Sequence, residues 1–489
     1  MPPWLLRHSR CLFGFTLSTT ASAFTTSPRL ARMKPLPIPS DSSTVYTVEE
    51  HFPKLSEFES SVVYPALIVP AKDTSMVRKR LQNLVLKKPK TKSVYNLEPD
   101  EQQESIDERK IVLVRTLTDS SNDTQSNLET QSTCKPLEAV FELAHLQELL
   151  MDNPIKYRRS QIELIQTYQD WTADQVLRKL LPLGPDEIPS SFEQVGHLAH
   201  LNLPANALPY KFIIGKVILD KNPSLKVVVN KTSTIQNEFR TFPMEVVAGI
   251  DKADIFKVKL KEGNCIFHLD FQQVYWNSRL QQEHARLVQH ILAGTTKKRK
   301  LGESTSPKLV VVADVMAGVG PFAVPLTCNG RAGIEVHAND LNPASFQYLK
   351  QNSQVNKCRN LHTYNLDGRA FVHQMMDQKQ VHHFILNLPA TAVEFLDAFR
   401  GWTQTFMPTI HVYCFQCKDL DQARNDCLDR CQAALGGCRP SLTDWHLVRD
   451  VSPKKNMYCA SFELPASVAE LPRITLQATS TTKSLVKSD

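Results

Sequence analysis

Glycine is scarce in this sequence, 16 of 489 residues against 30 prolines. That balance excludes a collagen-like or glycine-rich polymer and makes many connections stiff. No run approaches the ~20 consecutive apolar residues of a membrane span, so no membrane partner is expected. The glycine loops lack a following Gly-Lys-Ser/Thr, which excludes a P-loop, and G-x-G-x-x-G is absent, which disfavours a dinucleotide site. The 11 cysteines are scattered and no secretory signal accompanies them, a pattern that fits a reducing compartment with mostly free buried thiols. Acidic residues are missing from the first 40 positions, Asp41 being the first.

That acid-free segment carries Arg7, Arg10, Arg29, Arg32 and Lys34 among many Ser and Thr residues. Arg-rich, Ser-rich and acid-poor is the composition of a mitochondrial transit peptide, and a disordered N-terminus is the plainer alternative. Met33 could start a shorter form, so the mitochondrial matrix and the cytoplasm are both expected. The basic run Thr295–Pro307, "TTKKRKLGESTSP", could touch phosphates or serve as a nuclear signal, although a solvated loop is the commoner explanation. The formal net charge of +7 permits a polyanion partner without demanding one.

At roughly 100–200 residues per domain, the length suggests two to four units. The targeting segment is followed by an N-terminal unit (41–155) with a polar insertion at 119–133, and a helix is expected over 136–150. The middle unit (156–270) reads as β-rich. "KFIIGKVILD", "LKVVVNK" and "CIFHLDF" suggest strands, and "WTADQVLRKLLP" suggests a helix. From 271 to 465 a helix over 279–292, capped by Ser278 and Gln281, precedes apolar strands alternating with helices. That alternation means βαβ units and a parallel sheet. Residues 466–489 read as a disordered tail.

Within this last unit, "VVVADVMAGVGPFAVPL" (Val310–Leu326) is a strand, an acid, a glycine loop and a helix start. Asp314, Gly318 and Gly320 give D-x-x-x-G-x-G, where glycines let the backbone turn and approach a ligand. The following strands end at Asp340 in "VHANDLNP", at Asp367 and Gly368 in "YNLDG", and at Asn387 in "ILNLP". For any one acid a helix N-cap is the commoner explanation. Four consecutive strands with polar tips on one edge instead describe a nucleoside site of an open α/β sheet. Asp340 suits ribose hydroxyls, and Asp367 with Gly368 suits an adenine edge.

This set resembles a class I S-adenosylmethionine-dependent methyltransferase. "SSFEQVGHLAHLNL" (Ser190–Leu203), "NEFRTFPMEVVAG" (Asn237–Gly249), "VYWNSRLQQEHARLV" (Val274–Val288) and "NLPA" (Asn387–Ala390) look like the eukaryotic tRNA (guanine-37-N1)-methyltransferase family. The resemblance runs from about Trp171 to Pro465. It implies an α/β fold: a Rossmann-like catalytic domain, a β-rich α+β middle domain and a small N-terminal domain that helps hold tRNA. It implies methylation of N1 of the guanosine 3′ of the anticodon, with tRNA as partner, and a monomer is expected. By similarity, His284, Asp340, Leu341, Asp367, Gly368 and Asn387 contact S-adenosylmethionine, Glu283 is the general base, and Arg240 sits near the guanine oxygen. The rival readings are a wybutosine-pathway aminocarboxypropyl transferase and a tRNA-binding protein without catalysis.

The roles make chemical sense. Guanine N1 is protonated at neutral pH, so its methylation needs a base and a donor for charge developing on O6. Glu283 fits the base once burial disfavours its charged form, and the competing reading is a solvated Glu paired with Arg279 or Arg286. Arg240 is a rigid planar donor, or a surface ion pair. His284 on an apolar helix face is ordinarily a satisfied core histidine. Asn387 offers both donor and acceptor and takes a catalytic as well as a cofactor role. Many nucleobase N-methyltransferases carry N-P-P-Y/F. Here Leu388 and Ala390 replace the first proline and the aromatic, so the stacking ring is expected elsewhere, at Tyr275 or Trp276. Cys414 and Cys417 form C-x-x-C, but in "HVYCFQC" they read as buried small hydrophobes, and no metal is expected.

Overall fold

The structure is a computed structural model. It describes residues 34–39, 44–82, 84–87, 92–97, 108–113, 157–232, 241, 243–250, 252, 254–300, 309–404 and 406–474, with side chains of 294–300 excepted. Residues 1–33 of the segment read as a transit peptide, the polar insertion, the helix expected over 136–150 and Arg240 lie outside the described residues, whereas Leu36, at the end of that segment, is buried. The chain divides into two compact units, one built on residues 53–172 and the other on 36–52 together with 173 onward.

In the first unit, β1 (Ser60–Pro70), β2 (Val94–Asn96), β3 (Glu108–Val112) and β4 (Arg158–Gln166) form an antiparallel sheet in the order β2-β3-β1-β4. Leu67, Val69, Ile111 and Leu113 pack with Val77 and Leu81 of and beside α1 (Thr74–Arg80). β4 alternates half-buried and exposed along its whole length, the period-2 signature of a strand covered on one face. Because it pairs with β1 from Ser60↔Gln166 to Ile68↔Arg158, the unit boundary falls at 172/173, not at the expected 155/156.

The second unit opens with α2 (Ala173–Leu180), as the sequence suggests. A four-stranded sheet follows: β5 (Glu193–Val195), β6 (Leu198–Leu201), β7 (Val227–Lys231) and β8 (Met244–Gly249). A hairpin of β9 (Lys257–Glu262) and β10 (Cys265–Asp270) comes next. "KFIIGKVILD" is not a strand. It forms α3 (Lys211–Lys221), with Ile213, Ile214, Val217 and Ile218 buried. Those positions have helical spacing, but a short apolar run rich in β-branched residues is ambiguous by periodicity. Its Gly215 lies so close to β8 that an added Cβ would meet the Val247 carbonyl oxygen at 2.9 Å. The 36–52 segment ties back here. Leu36 N donates to Leu180 O at 2.7 Å, and Tyr46 stacks on Tyr210 at 5.1 Å.

The third sheet of this unit has seven strands: β11 (Val310–Asp314), β12 (Ile334–Asn339), β13 (Leu361–Tyr364), β14 (His383–Leu386), β15 (Thr409–Gln416), β16 (Leu442–Ser452) and β17 (Lys455–Glu463). Their order is β13-β12-β11-β14-β15-β17-β16. The first five are parallel, and β17 runs antiparallel to both β15 and β16. The order reverses at β11, where the strand ends diverge into a crevice. Around the sheet stand α4 (Gln281–Lys300), α5 (Ala323–Thr327), α6 (Pro343–Val355), α7 (Gly368–Gln378) and α8 (Leu420–Ala434). Val311, Ala313, Phe384 and Leu386 face one core with Phe371 and Phe399. Val312, Val336 and Ile385 face another with Leu287 and Ile291 of α4.

Three local expectations need correction. The cap of the α4 segment is Asn277, whose side chain accepts from Arg279 N at 3.1 Å. Ser278 is engaged otherwise, its hydroxyl donating to Gln194 O. The basic run expected as a loop begins inside α4, whose backbone stays helical to Lys300. The tail expected to be disordered from 466 starts with a 3-10 turn, Ala466–Glu470, whose buried Val468 accepts from Gly401 N at 2.9 Å.

Candidate active site

The four polar tips do gather at the carboxyl ends of β11 to β14. Asp314 ends β11 fully buried, and among the described residues neither of its oxygens has a hydrogen-bond partner. Burial, and then the neighbouring Asp340 charge, push its carboxyl well above the usual carboxylate range. The glycine loop then uses its two glycines for different reasons. Gly318 (φ +57°) faces open space, whereas at Gly320 (φ +97°) an added Cβ would meet Leu349 and Val324 at 2.8 Å. Gly318 thus leaves backbone accessible to a ligand, and Gly320 permits close helix packing.

Asp340 closes the loop from the next strand. Its carboxylate accepts from Gly318 N at 2.8 Å and Asn342 N at 3.0 Å. Its pKa is raised because burial outweighs those donors. A carboxylate has about four lone-pair positions, so capacity remains for hydroxyls. Leu341 beside it is half exposed. Asp367 caps α7, accepting from Arg369 N at 2.9 Å and Ala370 N at 3.3 Å, the ordinary role weighed for a strand-end acid. Gly368 starts that helix against Phe395, 3.0 Å from where a Cβ would lie.

Sequence reasoning missed Asn339. Fully buried, it donates to Val315 O and Leu366 O and accepts from Leu366 N, at 2.9–3.1 Å. One amide therefore joins the carboxyl ends of β11, β12 and β13. Its signal was an amide inside an apolar strand, immediately before the more conspicuous Asp340.

At β14 the chain turns through Leu388, whose carbonyl accepts from Thr391 N and Ala392 N, while Phe415 N donates to Pro389 O at 3.1 Å. Asn387 faces a cavity of about 170 Å³ walled by Tyr275, Pro389, Phe415, Arg449 and Met457. That volume is below the roughly 300–1,000 Å³ of drug-sized pockets and suits one ring system. Among the described residues, the Asn387 amide has no hydrogen-bond partner. Of the two candidate stacking rings, Tyr275 is 38% exposed and lines this cavity. Trp276 is buried against Phe267, its indole N–H donating to Ser278 Oγ, and cannot serve.

Glu283 and His284 occupy the first turns of α4, one turn beyond Leu280 of the cavity wall. Both are buried. His284 Nδ1 lies 2.7 Å from Glu262 Oε1, and its ring meets Phe322 of the glycine-loop segment edge-on at 4.9 Å. Glu283 is neither solvated nor alone. Arg286 donates to it through Nε at 2.7 Å and Nη2 at 2.8 Å, Tyr413 Oη donates at 2.7 Å, and His446 Nε2 lies 3.4 Å away. The pairing with Arg286 that the competing reading named is present, but on a buried carboxylate, not a solvated one, and with Tyr413 and His446 as further neighbours. Burial and the adjacent Cys459 and Glu283 push the Tyr413 hydroxyl well above its usual range, so Tyr413 remains a donor. Arg240 lies outside the described residues.

An S-adenosylmethionine-like ligand fits this edge. Asp314 is a buried carboxyl awaiting a donor or cation, Gly318 leaves open backbone, and Asp340 keeps acceptor capacity for a ribose. Cys414 of the C-x-x-C pair is buried with Cys427 and Cys431, at Sγ–Sγ distances of 3.5 and 4.0 Å for successive pairs along Cys414–Cys427–Cys431.

Known proteins align with this arrangement. A family model described as the TRM5/TYW2 methyltransferase domain matches residues 258–427, and one described as the TYW2 N-terminal domain matches 173–252. The tRNA (guanine(37)-N(1))-methyltransferase 1 of Phaeodactylum tricornutum is 44% identical, over 89% of this chain and 93% of its own. The tRNA (guanine(37)-N(1))-methyltransferase of Phytophthora infestans is 41% identical, over 84% and 92%. Among solved structures, aTrm5 in its complex with tRNALeu shares the fold with a TM-score of 0.56 at 20% identity, covering 82% of this chain and 99% of that one. The chain belongs to the tRNA (guanine(37)-N(1))-methyltransferase family.

Proposed function

We propose that this protein methylates N1 of guanosine 37 in tRNA with S-adenosylmethionine as methyl donor. The observation that carries this reading is the cavity at Asn387, one of the four polar strand ends, in a chain so similar to tRNA (guanine(37)-N(1))-methyltransferases. When bound, S-adenosylmethionine supplies an electrophilic sulfonium methyl. Asp314, Asp340, Leu341, Asp367 and Gly368 hold it, with His284 supporting the glycine loop through Phe322.

Asn387 positions the purine edge, and Tyr275 provides the stacking face that Leu388 and Ala390 do not. Glu283 takes the N1 proton, and Arg240 donates to O6. Because Arg286, Tyr413 and His446 now surround the Glu283 carboxylate, which does not line the cavity, proton transfer requires these partners to shift when the base enters. The tRNA is also held by the N-terminal unit, and the enzyme acts as a monomer in the mitochondrial matrix and the cytoplasm.

The test is incubation with methyl-labelled S-adenosylmethionine and tRNA transcripts bearing G or A at position 37. Label on G37 alone is expected. Label on A37, or none on G37, overturns the reading. Carboxyl-labelled donor distinguishes the aminocarboxypropyl rival, since only that reaction transfers its label.

A further inference from the structure

Three side chains able to ligate a metal converge on the sheet face away from α4. Glu335 and His337 alternate along β12 and so share a face, and His362 of β13 stands beside His337 in register. His337 Nε2 is 2.8 Å and His362 Nε2 3.5 Å from Glu335 Oε1. All three donor atoms lie within 4.8 Å of one another. Zinc bonds of about 2.0–2.2 Å in a tetrahedron put neighbouring donors about 3.3–3.6 Å apart, so these atoms need move only slightly to share an ion.

The surroundings suit a cation. His337 Nδ1 is 2.8 Å from Tyr364 Oη. With the proton on Nδ1 and donated to Tyr364, Nε2 keeps its lone pair for a metal, the outer partner that ligating histidines usually have. The two imidazoles stack at 4.9 Å with 21° between planes. His337 is buried, whereas the side chain of His362 is 51% exposed and opens the cluster to solvent. A positive group already sits here: Lys379 Nζ is 3.1 Å from Glu335 Oε1. Lys379 ends α7, and a helix C-terminus favours positive charge.

We propose that Glu335, His337 and His362 form a binding site for a first-row transition dication such as Zn²⁺, with Lys379 displaced from Glu335 and solvent in the open position. Two imidazoles and one carboxylate match the ligand preference of such ions. The site lies toward the start of β12, opposite the strand ends that carry Asp340 and Asp367. β13 is the outermost strand, bonded on one side only, so the ion acts as a clip holding that edge strand to β12. No spacing motif announces it, because its ligands are spread over two strands.

The test uses the full chain, stripped with chelator and titrated with Zn²⁺ and, separately, Co²⁺. Expected are one ion per chain, a rise in Tm with Zn²⁺, and tetrahedral Co²⁺ bands without thiolate charge transfer. His362→Gln, at an exposed position, and Glu335→Gln should each weaken binding at least tenfold and abolish the Tm rise. Lys379→Met, which removes the competing cation, should tighten binding. The proposal is overturned by absence of stoichiometric binding, by affinity unchanged in His362→Gln, or by a thiolate signature that places the ion on cysteine. In those cases the cluster is an ion pair neutralised by Lys379 alone.

Discussion

Tyr413, on the central strand β15, donates its hydroxyl to Glu283 on α4 at 2.7 Å, inside the protein. With Arg286 gripping the same carboxylate, Glu283 is oriented from the sheet and from its own helix at once. If it accepts the guanine N1 proton, Glu283→Gln should lower kcat by about 10²–10⁴, the usual worth of a positioned base, with tRNA affinity little changed. Tyr413→Phe, which keeps the ring and removes one donor, should cost kcat less and alter its pH profile. Single-turnover kinetics decides, and an unimpaired Glu283→Gln enzyme would falsify the assignment.

Tyr275 is the exposed aromatic at the Asn387 cavity. Base stacking is worth about 1–3 kcal/mol per base, so Tyr275→Ala should reduce kcat/KM for tRNA by roughly ten- to a hundredfold. Tyr275→Phe should stay near wild type. The matched Trp276→Phe change should act on Tm, since that ring is a core residue.

Asn339→Ala strips three hydrogen bonds from the junction of β11, β12 and β13. Buried groups left unpaired cost about 1–3 kcal/mol each. A loss of about 3 kcal/mol in urea unfolding is expected, together with weaker S-adenosylmethionine binding by calorimetry. Unchanged unfolding would mean that water replaces the amide.

Asp314 gives a pH signature. Its folded-state pKa is raised above the ordinary carboxylate value by burial and by Asp340. The folded protein therefore binds the proton more tightly than the unfolded chain, and this residue's contribution to stability falls as pH rises from about 4 toward the folded pKa. Asp314→Asn lacks that term. Its Tm relative to wild type should climb with pH over this range and level off below it, while its affinity for the methyl donor falls. A pH-independent difference in Tm would contradict the assigned protonation.

The glycine loop separates two kinds of requirement. Gly320→Ala should destabilise the fold, because both its φ and its neighbours Leu349 and Val324 exclude a side chain. Gly318→Ala meets no neighbour and should cost only the roughly 1–2 kcal/mol of a left-handed residue. Its main effect should be on cofactor affinity.

The parallel sheet was legible because apolar strands alternating with helices admit few topologies, and the polar tips were legible because each interrupts an apolar run. α3 was not, since Ile213, Ile214, Val217 and Ile218 satisfy a buried strand as readily as a buried helix. Nor was the pairing of β4 with β1, which depends on contacts across a long sequence separation. Of the partners of Glu283, only Arg286 was legible, and the others were hidden for a related reason. Arg286 is a neighbour on the helix, but Tyr413 and His446 come from strands far along the chain. Tyr275 and Trp276 were equal in sequence and were separated only by which one the core absorbs.

Aliphatic residues at Leu388 and Ala390, in place of a proline and an aromatic ring, divide labour between chain segments. The loop that ends β14 carries Asn387, while the ring proposed to stack on the base, Tyr275, lines the same cavity from just ahead of α4. On the proposed reading, holding the methyl donor and stacking the target base thus depend on separate stretches of the chain. Variation in the segment before α4 can retune how firmly a nucleotide is seized without disturbing the donor pocket.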